Sequence, residues 1–168
     1  MKLPRWISRR LRALAPKVST SRKPDHVIGG EADPYLRRWW VIPRNPVFNI
    51  YLHQFCRSDD DRALHDHPWL FNCSIVLSSG YHEHLPPLPD GRMRLAVRVA
   101  GDLVFRWGKS PHRVQLWKAT ATKEEPAWTL FITGPRVRQW GFYCPQGWRH
   151  WREFTAGKSG ELIGKGCD

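Results

Sequence analysis

From residue 35 onward, apolar and polar positions alternate in short runs: "RRWWVI", "VFNIYLHQF", "LFNCSIVL", "RLAVRV", "DLVFRW", "HRVQLW", "WTLFIT", "VRQWGFY" and "RHWREF". Each run has the length and the β-branched and aromatic content of a strand. Turn signals separate them, at residues 43–46, 58–61, 78–80, 86–91, 101–102, 108–111, 134–135 and 145–147. About nine short strands at this spacing predict a β-sandwich or barrel, with the jelly roll as one variety. No internal repeat is visible.

The first residues follow a different period. Leu3, Ile7, Leu11 and Leu14 recur at three- or four-residue spacing, with Pro4 placed to start a helix and Pro16 to stop it. Residues 4–15 therefore read as a short basic amphipathic helix. Residues 16–34, "PKVSTSRKPDHVIGGEADP", read as a linker. The organisation expected is an arm and linker over 1–34, a β-barrel over 35–155 and a flexible Gly-rich tail over 156–168. The arm could lie across the domain, across a partner subunit or on a polyanion.

Composition sharpens this picture. The ten Trp and fourteen Pro among 168 residues argue against a helical bundle. No apolar run reaches the roughly 18 residues of a membrane span, and the basic N-terminus lacks the apolar core of a secretory signal. Cys56, Cys73, Cys144 and Cys167 form no C-x-x-C, so neither a zinc knuckle nor a disulfide framework is expected, and a reducing cytoplasm is the default location. The net charge of +12 is uneven: residues 1–23 carry eight Lys and Arg and no acid. Such an arm points to nucleic acid or anionic lipid as a partner, or is simply a solvated tail.

The stretch "DDDRALHDHPWLFNCSIVLSSGYHEH" contains two His-x-His pairs, His65/His67 and His82/His84. Residues i and i+2 of a strand share a face, so two imidazoles can converge on one ion. The first pair precedes the apolar run from Trp69 to Leu77, at the mouth of a core strand. The second runs into Pro86-Pro87, where a loop or edge is expected, so the first is the better ligand pair. A third ligand must come from a distant strand, and His112 after the turn at 108–111 offers one.

The order His65-x-His67, Gly80, Gly101-Asp102, Pro111-His112 resembles the two motifs of the cupin superfamily. The resemblance implies a cupin-type double-stranded β-helix, a jelly-roll barrel, with His65, His67 and His112 as metal ligands and Gly80 and Gly101 as turn glycines. The Glu of the first motif has no counterpart, since Phe71 and Asn72 occupy its place. Glu83 and His53 are the substitutes expected as fourth ligand or as catalytic groups. Their alternatives are a solvated rim carboxylate and a hydrogen-bonded core histidine. Residues 34–155 also resemble uncharacterised cupin-like proteins of phage and prophage genomes, through "PYLRRWW", "NIYLHQF", "SDDDRALHDHPW", "LFITGPRVRQWGF" and "CPQGWRHW".

Three neutral imidazoles suit a divalent transition metal, with Fe(II) favoured and Zn, Mn, Ni or Cu as alternatives. Three protein ligands leave positions open, as catalytic metals require. Asp59, Asp60 and Asp61 read as a solvated turn, while Asp60, Asp61 and Asp66 are near enough in sequence to orient the rings. Arg57, Arg62, Arg113 and Trp69 are expected to bind substrate, with Arg136 and Arg138 as further anion clamps on one strand face. His150 is a weaker acid/base or ligand candidate. The function expected is a metal-dependent oxygenase acting on a small polar or anionic molecule, and a homodimer is an expected assembly. The competing readings are a Zn- or Mn-dependent isomerase or hydrolase, a binding module whose residues 1–23 hold nucleic acid, and histidines merely hydrogen-bonded around the Asp run without metal.

Overall fold

The computed structural model describes residues 1–59, 63–156 and 164–168. The elements run α1 (Arg5–Arg12), α2 (Leu14–Ser21), β1 (His26–Ile28), β2 (Leu36–Trp40), β3 (Asn49–Phe55), β4 (Leu64–His65), β5 (Phe71–Ser78), β6 (Gly80–Leu85), β7 (Arg94–Val99), β8 (Leu103–Trp107), β9 (Arg113–Leu116), β10 (Ala127–Thr133), β11 (Gly141–Cys144), β12 (Gly147–His150) and α3 (Trp151–Phe154). One wall is a six-stranded antiparallel sheet in the order β1-β2-β3-β10-β5-β8. The other is made of two three-stranded sheets, β12-β11-β4 and β7-β6-β9. Among the described residues, a single bridge between His65 and His112 joins them.

Alternation along the strands assigns each side chain to a face. On the outer face of the six-stranded wall, Trp39, Leu52, Ile75, Leu77 and Leu130 form a core cluster capped by Ala15, with Leu3, Leu11 and Val18 packed against it. The helical stripe seen in the sequence is thus the docking face of the arm. Its ends are tied as well: Leu3 N donates to Gly101 O (2.9 Å), Leu103 N donates to Met1 O (2.8 Å), and Lys2 pairs with Asp102 (2.9 Å). The arm lies across its own domain. Because the arm covers the outer face, the central strands are buried on both sides and carry near-continuous apolar runs.

Inside the barrel, Val76, Tyr81, Val114, Leu116 and Ala127 pack with Phe55. Beside Tyr51 and Phe131, the interior also holds polar groups, with Asn49, His53, Asn72, Ser74, Glu83, Arg106, His112, Thr129 and Thr133 all buried. Both polar side-chain atoms of Asn72 and the hydroxyls of Thr129 and Thr133 have no hydrogen-bond partner among the described residues. Buried polar groups are costly unless satisfied.

Several sequence expectations are revised. The stretch read as a linker holds α2 and β1, because Pro16 falls in the first turn of α2, where a missing N–H costs nothing. The segment "GYHEHL", expected as a loop or edge, is β6, the central strand of its sheet. A Cβ on Gly80 would stand 2.3 Å from Arg98 O, so this tight strand entry requires glycine. "RHWREF", expected as one strand, splits into β12 and the single turn α3. Only Gly141–Cys144 of "VRQWGFY" is strand, so Arg136 and Arg138 do not share a strand face. Cys144 and Cys167 form a disulfide, where four separate cysteines were expected. With Arg149 Nη1 donating to Gly166 O (2.7 Å) and Asp168 O (2.6 Å), the bond straps residues 164–168 to β11 and β12 rather than leaving a loose tail. Among the described residues no helix is long and apolar enough to cross a membrane.

Candidate metal centre

His65 ends β4, His67 follows two residues on, and His112 stands just before β9. Three backbone arrangements bring them together. First, His65 N donates to His112 O (2.9 Å) and His112 N to His65 O (3.0 Å). Second, His67 N donates to Gly108 O (2.8 Å), and Gly108 lies so close that a Cβ there would be 1.7 Å from the Trp69 carbonyl oxygen. Third, Asp66 points away from its neighbours, as alternation demands, and is fully buried. It accepts from Gly141 N (2.8 Å) and Arg138 Nη1 (2.6 Å), with Tyr143 OH and Trp148 Nε1 each at 3.3 Å. Asp66 therefore anchors the ligand strand to β11 and β12 and orients no ring.

The three imidazoles form a triangle with ring centroids 5.1 to 5.3 Å apart. One nitrogen from each lies within 4.8 Å of the others, and His67 Nε2 is 2.9 Å from His112 Nε2. Metal–imidazole bonds of about 2.0–2.1 Å are compatible with nitrogens this close. The donor set fits a divalent transition metal.

Carboxylates stand behind two of the rings. Glu83 Oε1 lies 2.9 Å from His112 Nδ1, on the side of the ring opposite to Nε2. The same carboxylate accepts from Arg106 Nε (2.7 Å) and Nη2 at Oε1, and from Arg98 Nε (2.6 Å) at Oε2. Asp59 Oδ2 is 3.8 Å from His65 Nδ1, and Asp59 is fixed by Tyr35 OH and by Val114 N (2.7 Å). An outer partner as near as Glu83 sets ring tautomer and basicity at metal sites, whereas Asp59 at 3.8 Å is beyond hydrogen-bond reach of His65. Neither Glu83 nor His53 belongs to the converging triad.

The electrostatics favour neutral rings. Burial, then the Arg106 charge, push His112 down to about 4 against the opposing pull of Glu83. Burial and the facing His112 and His65 hold His67 well below its ordinary value. Burial alone would raise the Glu83 carboxyl, but its contacts with His112, Arg106 and Arg98 hold it well below the usual carboxylate range. A buried anion shared by two guanidiniums is thus stationed beside a neutral ligand ring.

The other expected site residues are dispersed. His53 lies inside the barrel, stacked on Phe131 (5.0 Å) and Tyr51 (5.9 Å), and its Nε2 accepts from Arg38 Nε (2.8 Å). It is a hydrogen-bonded core histidine. Trp69 stacks on His67 (5.7 Å, 28°) and meets Phe131 edge-on (5.6 Å). Arg57 reaches Asp33 (3.3 Å) and sits over Tyr35. Arg113 pairs with His84 in the β6–β9 register, on the outer face with Gln115 and His82. His84 Nε2 is 2.7 Å from Gln115 Oε1, so the second His pair lies outside the barrel. His150 caps α3 through Nδ1. Asp60, Asp61 and Arg62 lie outside the described residues. The residues that sequence reasoning missed are Arg98, Arg106 and Asp59. Arg106 alone left a trace, as a cation inside the apolar run "DLVFRW".

No protein-family model matches the chain, and no curated protein does. Among solved structures, the chain is similar to Fe(II) HppE, with a TM-score of 0.50 and 15% identity over 67% of this chain and 57% of that one. It thus spans little more than half the length of that protein. It is also similar to an uncharacterized conserved protein with a double-stranded β-helix domain from Klebsiella pneumoniae subsp. pneumoniae MGH 78578 (TM-score 0.46, 15% identity, 70% of this chain and 90% of that one). A third similar structure is the DMSP lyase DddQ from Ruegeria pomeroyi DSS-3 (TM-score 0.46, 16% identity, 66% and 52%). At these identities the likeness extends to the fold alone. The chain is an all-β protein with the cupin-type double-stranded β-helix fold and a short basic N-terminal helix.

Proposed function

We propose that this chain is a metal-dependent enzyme in which His65, His67 and His112 hold one divalent transition metal, Fe(II) by preference, for oxygen chemistry on a small polar or anionic molecule. The observation that carries the reading is the convergence of three imidazoles from two separate segments, with the buried Glu83 carboxylate behind His112. The metal would supply a Lewis acid and, as Fe(II), a redox centre with coordination positions that the protein leaves open. The chain's own groups do the rest. Glu83 holds His112 with its proton on Nδ1 and Nε2 directed inward, while Arg98 and Arg106 keep that carboxylate ionised. Trp69 and Phe131 shield His67 from water.

The test is metal content. Protein purified without added metal should carry close to one equivalent, and His67→Ala and His112→Ala should each carry almost none. Wild-type protein that stays metal-free after incubation with Fe(II), Zn and Mn removes this reading.

A specific observation favours a second activity. Docking of the arm leaves Arg5, Arg9, Arg10 and Arg12 exposed on one helix. This ridge suits a polyanion such as nucleic acid. Phosphate contacts would make that binding fall steeply with salt.

A further inference from the structure

A cavity of about 670 Å³ opens beside the triad. Its lining includes Arg38, Trp40, Arg44, Tyr51, Trp69 and Arg136, and contains no Asp or Glu. That volume is within the range of small-molecule sites, about 300–1,000 Å³. Trp69 connects it to the candidate metal centre, since it lines the cavity on one side and stacks on His67 on the other.

Two of the three arginines are held in place by their side chains, and among the described residues none of the three is neutralised. Arg38 is fixed by donating from Nε to His53 Nε2 (2.8 Å), and its guanidinium lies 4.9 Å from the Tyr51 ring centroid. Burial pushes Arg38 down to about 10, as a cation lacking a counter-charge must shift. Arg44 lies over Trp40, 5.4 Å from its centroid. It is carried by a loop that Asn45 locks, with Oδ1 accepting from Val47 N (3.1 Å) and Phe48 N (2.9 Å) and Nδ2 donating to Phe48 O (2.6 Å). Arg136 is bridged through its backbone to Trp69. Among the described residues none of the three forms an ion pair. Aromatic faces orient a guanidinium without cancelling its charge. A concave, pre-organised cluster of unneutralised arginines is an anion site.

We infer that this cavity binds a small organic anion, with its carboxylate or phosphate group held by Arg38, Arg44 and Arg136 and its uncharged part against Trp69. As the substrate of the metal centre this ligand rests on the function proposed above, whereas its binding does not. The concavity selects a small molecule over a polymer, whose phosphates would track the exposed ridge of α1.

Titration calorimetry at physiological salt tests the inference, using the full chain with benzoate, phenyl phosphate and neutral benzamide as probes. Benzoate or phenyl phosphate binds, benzamide does not, and the preferred anion tells whether carboxylate or phosphate is the native group. Arg44 and Arg136 are exposed, so Arg44→Gln and Arg136→Gln fold, and each weakens the anion about tenfold. Failure of both anions to bind, equal binding of benzamide, or unchanged affinity in the two variants overturns the site. Metal analysis of the same samples separates the two readings. Anion binding without metal keeps the pocket and removes the metal centre, and metal without anion binding does the reverse.

Discussion

His65 and His112 exchange a reciprocal pair of backbone hydrogen bonds, 2.9 and 3.0 Å long, and so hold their imidazoles side by side at 5.1 Å. Among the described residues, the bridge that joins the two halves of the second wall is also the one that sets His65 beside His112. Damage to the backbone around this bridge should affect metal binding before it affects the six-stranded wall.

Gly108 tests that coupling. A methyl group at 1.7 Å from the Trp69 carbonyl cannot be accommodated without separating the His67 segment from the turn before His112. Gly108→Ala should lose at least tenfold in metal affinity by competitive chelator titration, with far-ultraviolet circular dichroism largely preserved.

Glu83 is the strongest outer partner. Glu83→Gln keeps the shape but leaves Arg98 and Arg106 without their shared anion. Removing one member of a buried ion pair costs about 3–5 kcal/mol, and removing a ligand's outer partner lowers metal affinity about 10–100-fold. Denaturant unfolding and metal titration measure the two separately. Unchanged metal affinity in the folded variant would show that Glu83 is only structural.

How much of this was legible in the sequence depends on what stabilises each element. Apart from β1, which fell in the stretch read as a linker, the strands of the six-stranded wall were readable because burial on both faces writes β-branched and aromatic runs such as "WTLFIT". β6 was not, since "GYHEHL" buries a carboxylate that only Arg98 and Arg106, 15 and 23 residues downstream, can neutralise. The His-x-His pair was legible because strand alternation makes its geometry local. The placement of Asp59 behind His65 was not, because it depends on Tyr35 and Val114 from other strands. The apolar stripe of the arm was plain, but nothing in it named the sheet face that it covers. Cysteine spacing likewise cannot assign a pairing such as Cys144–Cys167.

That disulfide gives a third prediction. It closes a loop of 23 residues, and loops of that size contribute roughly 2–4 kcal/mol. Reduction, or Cys167→Ser, should lower the thermal unfolding midpoint by several degrees. Cys144 sits in β11, which pairs with the ligand strand β4 at His65, so metal content of the same variant measures how far the strap supports that strand.

The pH dependence follows from the buried rings. His53 is held well below its ordinary value by burial and by Arg38, and His112 is pushed down to about 4. The unfolded chain, with histidines near about 6.5, takes up these protons first. The stability these rings contribute is therefore complete above pH 6.5 and is lost as pH falls toward 4. The unfolding midpoint of metal-free protein should fall through that window, and His53→Gln should flatten the fall while keeping an acceptor for Arg38.

The most direct measurement is X-ray anomalous scattering at the metal edge, from crystals of the protein loaded with Fe(II) or Zn. The account predicts a single strong peak bonded to one nitrogen each of residues 65, 67 and 112, at about 2.0–2.2 Å. A peak located elsewhere, or density for an ion touching none of these rings, would contradict it.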